Sequence, residues 1–273
     1  KYRNKTTMTE NKTIYLKPKP LTNTNIFYIH NEPELRFASN GNAMLTLSGA
    51  VDNTYAIRND DGSYSKERGG SSDWFNFVCW GWKAEKLAGV PLAGSLVQIE
   101  YRPKKTYWED DEGKKRNRDQ FDIVDLCVLD DRPLGHDGEA AWLKPRPIES
   151  TQYGFIFNAP EIKQSNSGKD FMTFDVGIDN SYPIKDSEGN FTKERGGQTD
   201  WFRCVIWNEY LVEKLAKIDL EKKDVGFTFS LGKNVWTDPT SGDKRDAVQF
   251  TVTNLWIVNP RPDGSGAASD DEI

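Results

Sequence analysis

The feature that most constrains the fold is a duplication inside the chain. Residues 66–75, KERGGSSDWF, recur at 193–202 as KERGGQTDWF, an offset of 127 residues (193 − 66). The same offset pairs VDNTY at 51–55 with IDNSY at 178–182, and small insertions raise it to 128 (236 − 108) and then 129 (250 − 121) downstream. This period is too long for a solenoid repeat and long enough for a whole domain, so the chain carries two related domains.

The repeat fixes the expected domain boundaries. We expect one domain over residues 22–132 and the second over 149–260. The segment 133–148 between them is polar and contains Pro and Gly, which is typical of a semi-rigid linker. Residues 1–21 are expected to be a disordered or flexible N-terminal segment. Residues 261–273 contain Pro, Gly, Ser and Asp without a core-forming pattern, and are expected to form a flexible acidic tail.

Period-2 alternation of apolar and polar residues dominates both units and predicts strands. In the first unit the strands are expected at 43–51, 73–80, 95–101, 104–109 and 120–129, with turns at 59–62 and 110–113 and a short helix at 83–88. In the second unit they are expected at 171–180, 200–207, 225–231 and 249–258, with a helix at 210–218. About five strands with one helix between the third and fourth is the plan of the OB-fold. The sequence therefore predicts an all-β protein with short helices, built as two tandem five-stranded Greek-key barrels, although pattern alone leaves other small barrels open.

Charge and cysteine content narrow the function classes. The net charge of −6 argues against nucleic acid as a ligand, although acidic residues concentrated in the tail bias this total. The three cysteines and the histidines His30 and His136 have no metal-ligand spacing, so we expect neither metal nor cofactor. The odd cysteine count disfavours a disulfide framework and favours a reducing, cytoplasmic location. No apolar run approaches the length of a membrane span, so no membrane contact is expected.

Five motifs follow one another along the first unit. They are Asn40-Gly41 before a strand, DWF at 73–75 before an apolar run, KAEKLA at 83–88, GSLVQIE at 94–100 and WEDDEGKKR at 108–116. Their order resembles that of a known family, the bacterial-type single-stranded DNA-binding proteins, and the resemblance covers both units nearly end to end. It implies OB barrels that bind single-stranded DNA with little sequence preference during replication, recombination or repair. Family members usually assemble four barrels, which implies a homodimer for a chain that carries two.

In that family, four aromatic positions on each barrel stack on bases. The resemblance transfers this role to Tyr55, Trp74, Trp80 and Trp108 in the first unit and to Tyr182, Trp201, Trp207 and Trp236 in the second. The internal repeat pairs the same rings without reference to the family. Any base offers a π face, so a row of rings binds single strands regardless of sequence. Packing in the core is an equal alternative for any single Trp, but the matched set of eight favours contact with a ligand.

Alternation along the first Trp strand separates two faces. Trp74 and Trp80 lie six residues apart and therefore share a face. Phe75, Phe77 and Cys79 lie on the opposite face and are expected to be buried.

Binding of the DNA backbone requires cations. The candidates for phosphate contact are Lys66, Arg68, Arg102, Lys104, Lys105, Lys193, Arg195, Arg203 and Lys233, with further basic residues at Lys114, Lys115, Arg116, Arg118, Lys244 and Arg245. A solvated surface of mixed charge is the alternative for these side chains, and a tight turn is the alternative for the glycines that follow Arg68 and Arg195. The second unit has fewer cations, which predicts weaker binding there.

The family usually ends in an acidic tip that docks on replication and repair proteins. Here Asp270, Asp271, Glu272 and Ile273 provide acid and a terminal apolar residue, but the usual Pro-Phe is absent. The tail is equally consistent with a plain solubilising segment.

The residues show no pattern typical of catalysis. No nucleophile–base pair stands out, and no Gly-rich phosphate loop leads from a strand into a helix, so we expect no enzyme. Two alternatives to single-stranded DNA binding remain open. One is an OB-type protein-interaction or assembly module whose rings are mostly core, and the other is a single-stranded RNA binder. The sequence does not distinguish a chromosomal from a plasmid, phage or organelle origin.

Overall fold

The computed structural model describes residues 18–59, 61–129, 145–165, 167–240 and 242–258. Within these ranges it contains two barrels of the same topology, which confirms the predicted fold class. Most of the predicted linker and the whole predicted tail, including Asp270, Asp271, Glu272 and Ile273, lie outside the described residues, as does His136.

Barrel 1 is formed by five strands, and a short edge strand and two hairpins are added to it. Its elements are β1 (Asn23–Ile29), β2 (Glu34–Phe37), β3 (Ala43–Asp52), β4 (Tyr55–Arg58), β5 (Tyr64–Gly69), β6 (Ser72–Trp80), α1 (Trp82–Ala88), β7 (Leu96–Arg102), β8 (Lys105–Glu109), β9 (Lys115–Asp119) and β10 (Phe121–Leu129). The sheet order is β1-β7-β10-β6-β3, and β1 also pairs with β3, which closes the barrel. All of its pairings are antiparallel except β6 with β10. The helix lies between the third and fourth barrel strands, as predicted.

Barrel 2 repeats this plan with one difference. Its elements are β11 (Ser150–Ile156), β12 (Glu161–Gln164), β13 (Asp170–Asp179), β14 (Tyr182–Lys185), β15 (Phe191–Gly196), β16 (Thr199–Ile206), α2 (Glu209–Leu215), β17 (Lys223–Thr237) and β18 (Lys244–Ile257). The order β11-β17-β18-β16-β13 closes through β11 and β13. The sequence predicts strands at 225–231 and 249–258, but β17 and β18 continue outward as one long hairpin. We call the outer part of this hairpin, residues 232–249, arm 2, and the corresponding β8–β9 hairpin arm 1.

Each barrel is filled by aromatic and aliphatic side chains. In barrel 1, Phe75, Phe77 and Cys79 are buried, as predicted, and Phe77 packs edge-on against Phe27 with ring centroids 4.7 Å apart. In barrel 2, Phe229 and Phe250 occupy the centre with centroids 4.2 Å apart. These cores hold the strand framework, from which the outward-facing side chains project.

The two barrels contact each other through β1 and β11. Asn23 Nδ2 donates to the carbonyl of Thr151 at 2.8 Å, and Ser150 Oγ donates to the carbonyl of Thr24 at 3.4 Å. Ser150 and Thr151 each lie 127 residues after their counterparts Asn23 and Thr24. The two hydrogen bonds are therefore the same contact made in both directions.

A second reciprocal pair of contacts flanks the first. Leu21 N donates to Gln152 Oε1 at 2.7 Å, and Ile148 N donates to Asn25 Oδ1 at 3.2 Å. Gln152 also donates back to the carbonyl of Leu21 at 2.8 Å. Leu21 is the last residue of the segment predicted to be flexible, and these two bonds hold it against barrel 2.

Candidate nucleic-acid interface

The eight aromatic side chains predicted to stack on bases all lie at the surface. Their exposed fractions range from 36% for Trp74 to 62% for Tyr55. By contrast, core rings such as Phe27 and Phe227 are completely buried. The platform therefore exists on both barrels as exposed ring surface, which a ligand with π faces could cover.

Strand alternation puts the two Trp side chains of each barrel on the same outward face. On β6, Trp74 and Trp80 face outward, while the three alternate residues between them point into the core. On β16 and just beyond its end, Trp201 and Trp207 repeat this arrangement. Val78, which shares the outer face with Trp74 and Trp80, is nevertheless buried, so the two rings are separated by a small covered patch.

The first glycine of the repeated KERGG motif makes room for the tyrosine ring. Tyr55 on β4 pairs across the hairpin with Gly69 on β5. A Cβ at Gly69 would lie 2.4 Å from the Tyr55 ring, and a Cβ at Gly196 would lie 2.5 Å from the Tyr182 ring. Each ring therefore lies directly over glycine backbone, a position that no larger residue permits. The first glycine of each motif therefore determines where the Tyr55 or Tyr182 ring lies.

The second glycine of the motif allows the neighbouring loop, which contains Asn53 or Asn180, to approach the backbone closely. Gly70 has φ +76°, and a Cβ there would lie 2.4 Å from the Asn53 carbonyl oxygen. Gly197 has φ +71° and meets Asn180 in the same way at 2.5 Å. Both asparagines hold the opposite barrel.

Asn53 and Asp73 form a clasp on arm 2. Asn53 Nδ2 donates to Asp73 Oδ2 at 2.6 Å and to the carbonyl of Leu231 at 3.1 Å. Asp73 Oδ2 also accepts from Lys233 N at 3.0 Å. Asp73 is buried, so these donors satisfy a carboxylate that would otherwise be costly to remove from water. The clasp connects the root of arm 2 to the loop that precedes Tyr55.

The same clasp recurs on arm 1 with Asn180 and Asp200. Asn180 Nδ2 donates to Asp200 Oδ2 at 2.8 Å and to the carbonyl of Pro103 at 2.8 Å, and Lys105 N donates to Asp200 Oδ2 at 3.2 Å. Here Tyr107 OH adds a hydrogen bond to Asp200 Oδ1 at 3.0 Å. Partial burial of its hydroxyl, together with the Asp200 charge, raises the pKa of Tyr107 to about 12. The phenol therefore stays protonated as a donor over the physiological range.

The repeated arginines brace the hairpins of the tyrosines. Arg68 Nε donates to Thr54 Oγ1 at 2.9 Å, and Arg195 donates to Ser181 Oγ at 3.2 Å from Nε and 3.0 Å from NH2. Both side chains remain exposed beside Tyr55 and Tyr182. Their structural role is thus visible in the geometry, and phosphate contact stays a prediction for them.

Four of the other predicted phosphate cations are already paired with carboxylates. The pairs at 2.9 Å are Lys104 with Asp122, Lys105 with Asp119 and Arg203 with Asp175, and Lys233 also contacts Asp246. The Lys105 and Lys233 side chains are only 18% and 16% exposed, so they offer little charge to a ligand. Within the described part of the chain no ion pair engages Lys66, Arg102 or Lys193, which makes these three the most available cations.

Several further rings lie beside the predicted set. His30 and Phe157, which the repeat aligns with each other, meet Trp74 and Trp201 edge-on at centroid distances of 6.1 and 6.4 Å. Phe171 stacks on Trp207 at 4.6 Å and covers one of its faces. Alignment of the repeats could have identified the first pair. Phe171 aligns with Met44, so nothing in the repeat marks it.

A second pair of repeat-related rings lies on the β4–β5 and β14–β15 hairpins. Tyr64 begins β5 and Phe191 begins β15, at equivalent positions of the repeat, and both are largely exposed. The sequence carried a signal for them, since an aromatic recurs at the 127-residue offset (191 − 64).

The family model of the single-strand binding protein family matches residues 28–127 and 151–258, one segment on each barrel. The chain belongs to this family. It is 25% identical over 115 residues to single-stranded DNA-binding protein 1 of Chlorobaculum tepidum, covering 42% of this chain and 67% of the relative. It is 32% identical over 111 residues to single-stranded DNA-binding protein A of Bacillus subtilis, covering 41% of this chain and 60% of the relative. The matches thus span about two thirds of the length of these relatives.

Structural comparison extends the likeness of fold across both barrels. The single-stranded DNA-binding protein from Thermus aquaticus superimposes with a TM-score of 0.60 at 16% identity, over 91% of this chain and 98% of that one. A match at this identity shows the fold, and its coverage extends across both barrels. The comparisons therefore confirm the resemblance on which the sequence-based interpretation depends.

Metal binding and membrane insertion would each require a recognisable feature, namely a cluster of metal ligands or a long apolar helix. No group of three or more His, Cys, Asp and Glu side chains in the described ranges could hold a metal ion. None of the helices in the part of the chain that the structure describes is long and apolar enough to cross a membrane.

Proposed function

We propose that this single-strand binding protein binds single-stranded DNA with little sequence preference, by stacking bases on the eight exposed rings. The observation that carries the proposal is the matched set itself, because both barrels present the same four rings at the surface. Each stacked base contributes about 1–3 kcal/mol by alanine substitution. Protection of exposed strands in replication, recombination or repair is the corresponding role.

Phosphate contacts complete the proposed binding mode. Lys66, Arg102 and Lys193 supply exposed charge, and Arg68 and Arg195 lie on the hairpins that carry the tyrosines. These cations release counterions when a strand binds, so the affinity should fall as salt rises. Barrel 2 has six of the candidate phosphate-contacting cations and barrel 1 has nine, so barrel 2 should contribute less to binding.

Tryptophan fluorescence tests the proposal directly. Titration of the full chain with oligo(dT) should quench the exposed indoles strongly, and Trp74→Ala and Trp201→Ala should each weaken binding. Trp256→Phe is the matched control, because Trp256 packs on Gly226 and Tyr153 away from the platform. A smaller loss for Trp201→Ala than for Trp74→Ala would support the weaker role of barrel 2.

The same titration separates the alternatives. Little quenching by oligo(dT), with unchanged affinity in both Trp variants, would favour a protein-interaction module. Tighter binding of an RNA oligonucleotide of the same sequence in competition would favour a single-stranded RNA binder. We infer a binding protein without catalytic activity, and turnover of a bound oligonucleotide into shorter products would contradict this.

Assembly, partners and location extend the proposal. A homodimer would bring four barrels together, the number typical of the family, and mass measurement in solution tests it.

The tail is proposed to dock replication or repair proteins. Deletion of residues 265–273 should therefore abolish capture of these proteins, and unchanged capture would contradict the proposal. A cytoplasmic, nucleoid-associated location fits this role and is tested by imaging a tagged chain. The proposed domains are 22–132 and 149–260, joined by the linker 133–148.

A further inference from the structure

Barrel 2 has a recess beside Trp201 that the stacking model does not use. It encloses about 310 Å³, at the lower end of the volumes of small-molecule sites. Its wall is formed by the segment after β11 and by the outer faces of β12, β13 and β16. This is the strand 2–3 face of the barrel, where OB-folds bind their ligands.

Two rings shape the side of the recess. Phe157 stands edge-on to Trp201, with an interplanar angle of 77° and centroids 6.4 Å apart. Both rings are substantially exposed. A flat ligand that stacks on the Trp201 face would therefore meet Phe157 at its side, which limits how far it can slide across the barrel.

The floor of the recess is polar. Asp175 on β13 and Arg203 on β16 are cross-strand neighbours and form an ion pair at 2.9 Å between Oδ1 and Nε. This geometry leaves the second carboxylate oxygen as an acceptor and the guanidinium NH2 groups as donors. Close by, the Thr173 hydroxyl is buried and has no hydrogen-bond partner among the residues that the structure describes.

The repeat shows that this chemistry belongs to barrel 2 alone. At the equivalent positions, barrel 1 carries Ser48 and Asn76 in place of the ion pair, and Ser48 Oγ donates to Asn76 Oδ1 at 3.1 Å. His30 replaces Phe157. The flanking Trp is the same in both barrels, so the difference lies in what a base edge would meet.

We propose that the recess takes one nucleobase of the bound strand and reads its edge with Asp175 and Arg203. The inference rests on the proposed function, since it requires a strand stacked on Trp201. It gives barrel 2 a dependence on base identity that barrel 1 lacks.

Hydrogen-bond complementarity identifies the preferred bases. An adjacent donor and acceptor pair can make three bonds to guanine, through its O6 acceptor and its N1 and N2 donors. It can also make three to cytosine, through the N4 donor and the N3 and O2 acceptors. Adenine and thymine each offer only two complementary bonds to the pair. We therefore expect guanine over adenine and cytosine over thymine, comparing bases of equal ring size so that stacking is similar.

The experiment uses the full chain and oligo(dT) in which every fourth nucleotide is dG, dC or dA, so that one binding register in four places the substituted base in the recess. The dG to dA and dC to dT affinity ratios of the wild type are compared with those of Asp175→Ser/Arg203→Asn. These substitutions install the residues that barrel 1 already accommodates. Glu213→Ser/Lys217→Asn is the matched control, because it removes an exposed ion pair of the same charges between α2 and the turn that follows it.

A well-formed contact to a base edge discriminates by about 1 kcal/mol at the low end, or about fivefold in the register that fills the recess. Because the other three registers leave dT there, the wild type should show ratios about twofold higher than the recess variant, with the control unchanged. Equal ratios in the wild type and the recess variant, with oligo(dT) binding intact, would overturn the base-reading role and leave the proposed function standing. Absence of oligo(dT) binding in the wild type would instead contradict the proposed function itself.

Discussion

Substitution of Gly69 by alanine should weaken DNA binding through the Tyr55 ring while leaving the stability of the fold nearly unchanged. The added Cβ would lie 2.4 Å from Cε2 and Cζ of Tyr55, far inside van der Waals contact. Gly69 does not have a positive φ, so the backbone accepts alanine, and the obstacle is an exposed ring that can rotate away. The free energy of unfolding should therefore change by less than about 1 kcal/mol, because loss of glycine entropy in the unfolded chain offsets part of the cost.

The effect should instead appear in binding. A displaced Tyr55 ring loses its stacked base, which costs at least about 1 kcal/mol and weakens binding roughly fivefold. Fluorescence titration with oligo(dT) measures this in wild type, Gly69→Ala, Tyr55→Ala and the double variant. The control is Gly89→Ala, whose Cβ would meet only the Lys86 carbonyl oxygen at 3.7 Å.

The double variant decides the reasoning. If Gly69 acts through the ring, its substitution should add nothing in the Tyr55→Ala background. Wild-type affinity for Gly69→Ala, or an equal loss with and without the tyrosine ring, would refute the idea that the first glycine of the motif seats this side chain.

Three further predictions concern the clasp and the charges. Asp200→Ala should lower the free energy of unfolding in urea by about 3 kcal/mol, because buried donors lose a charged acceptor; a change below about 0.5 kcal/mol would contradict the clasp. The pKa of Tyr107 in the folded chain, about 12, exceeds its unfolded value near 10, so its contribution to stability is complete below pH 10 and is lost as the pH rises towards 12. Tyr107→Phe should show a shallower loss of stability over that range, and identical profiles would count against the assignment. Replacing Lys66 and Lys193 by alanine should reduce the slope of log K against log salt by about 0.7 for each phosphate that is no longer neutralised, while an unchanged slope would exclude both lysines.

The sequence predicted most of the framework because the framework follows local patterns. Alternation on 73–80 separated the core face from the outer face, and the recurrence of an entire motif showed that the pattern was used twice. The first helix and most of the barrel strands are present within one or two residues of their expected ends, while the second helix, expected at 210–218, ends at Leu215. The short edge strands β2 and β12 escaped prediction because four exposed residues carry no period.

The arms were the largest departure. Strand β17 was expected to end at residue 231, where Gly232 and polar residues follow, but it continues to Thr237. Its continuation pairs with β18, and its root is held by Asn53 and Asp73 from the other barrel. Such partners lie 160 to 178 residues apart in sequence, so no local pattern could indicate them.

Charge availability was also beyond the sequence. Lys105 lies in arm 1 and Lys233 in arm 2, and in each case a carboxylate on the partner strand of the hairpin neutralises the charge. The pairing depends on register, which composition does not contain. A similar limit applies to Asp175 and Arg203, which become neighbours only when β13 and β16 pair.

The contacts between the barrels show how a duplicated chain can differentiate. Where both repeats keep the required side chain, each contact occurs twice with donor and acceptor exchanged, which is the form of an isologous interface between identical subunits. Where they differ, it occurs once. Tyr107 bonds Asp200, but its counterpart Val235 has no hydroxyl to offer Asp73, and Asp119 accepts from Val248 N at 3.1 Å without a reciprocal carboxylate. Two identical chains must change both copies of a site together, whereas a single chain fixes the same geometry covalently and lets one barrel change alone. The recess of barrel 2 is such a change, placed beside a Trp that both barrels retain.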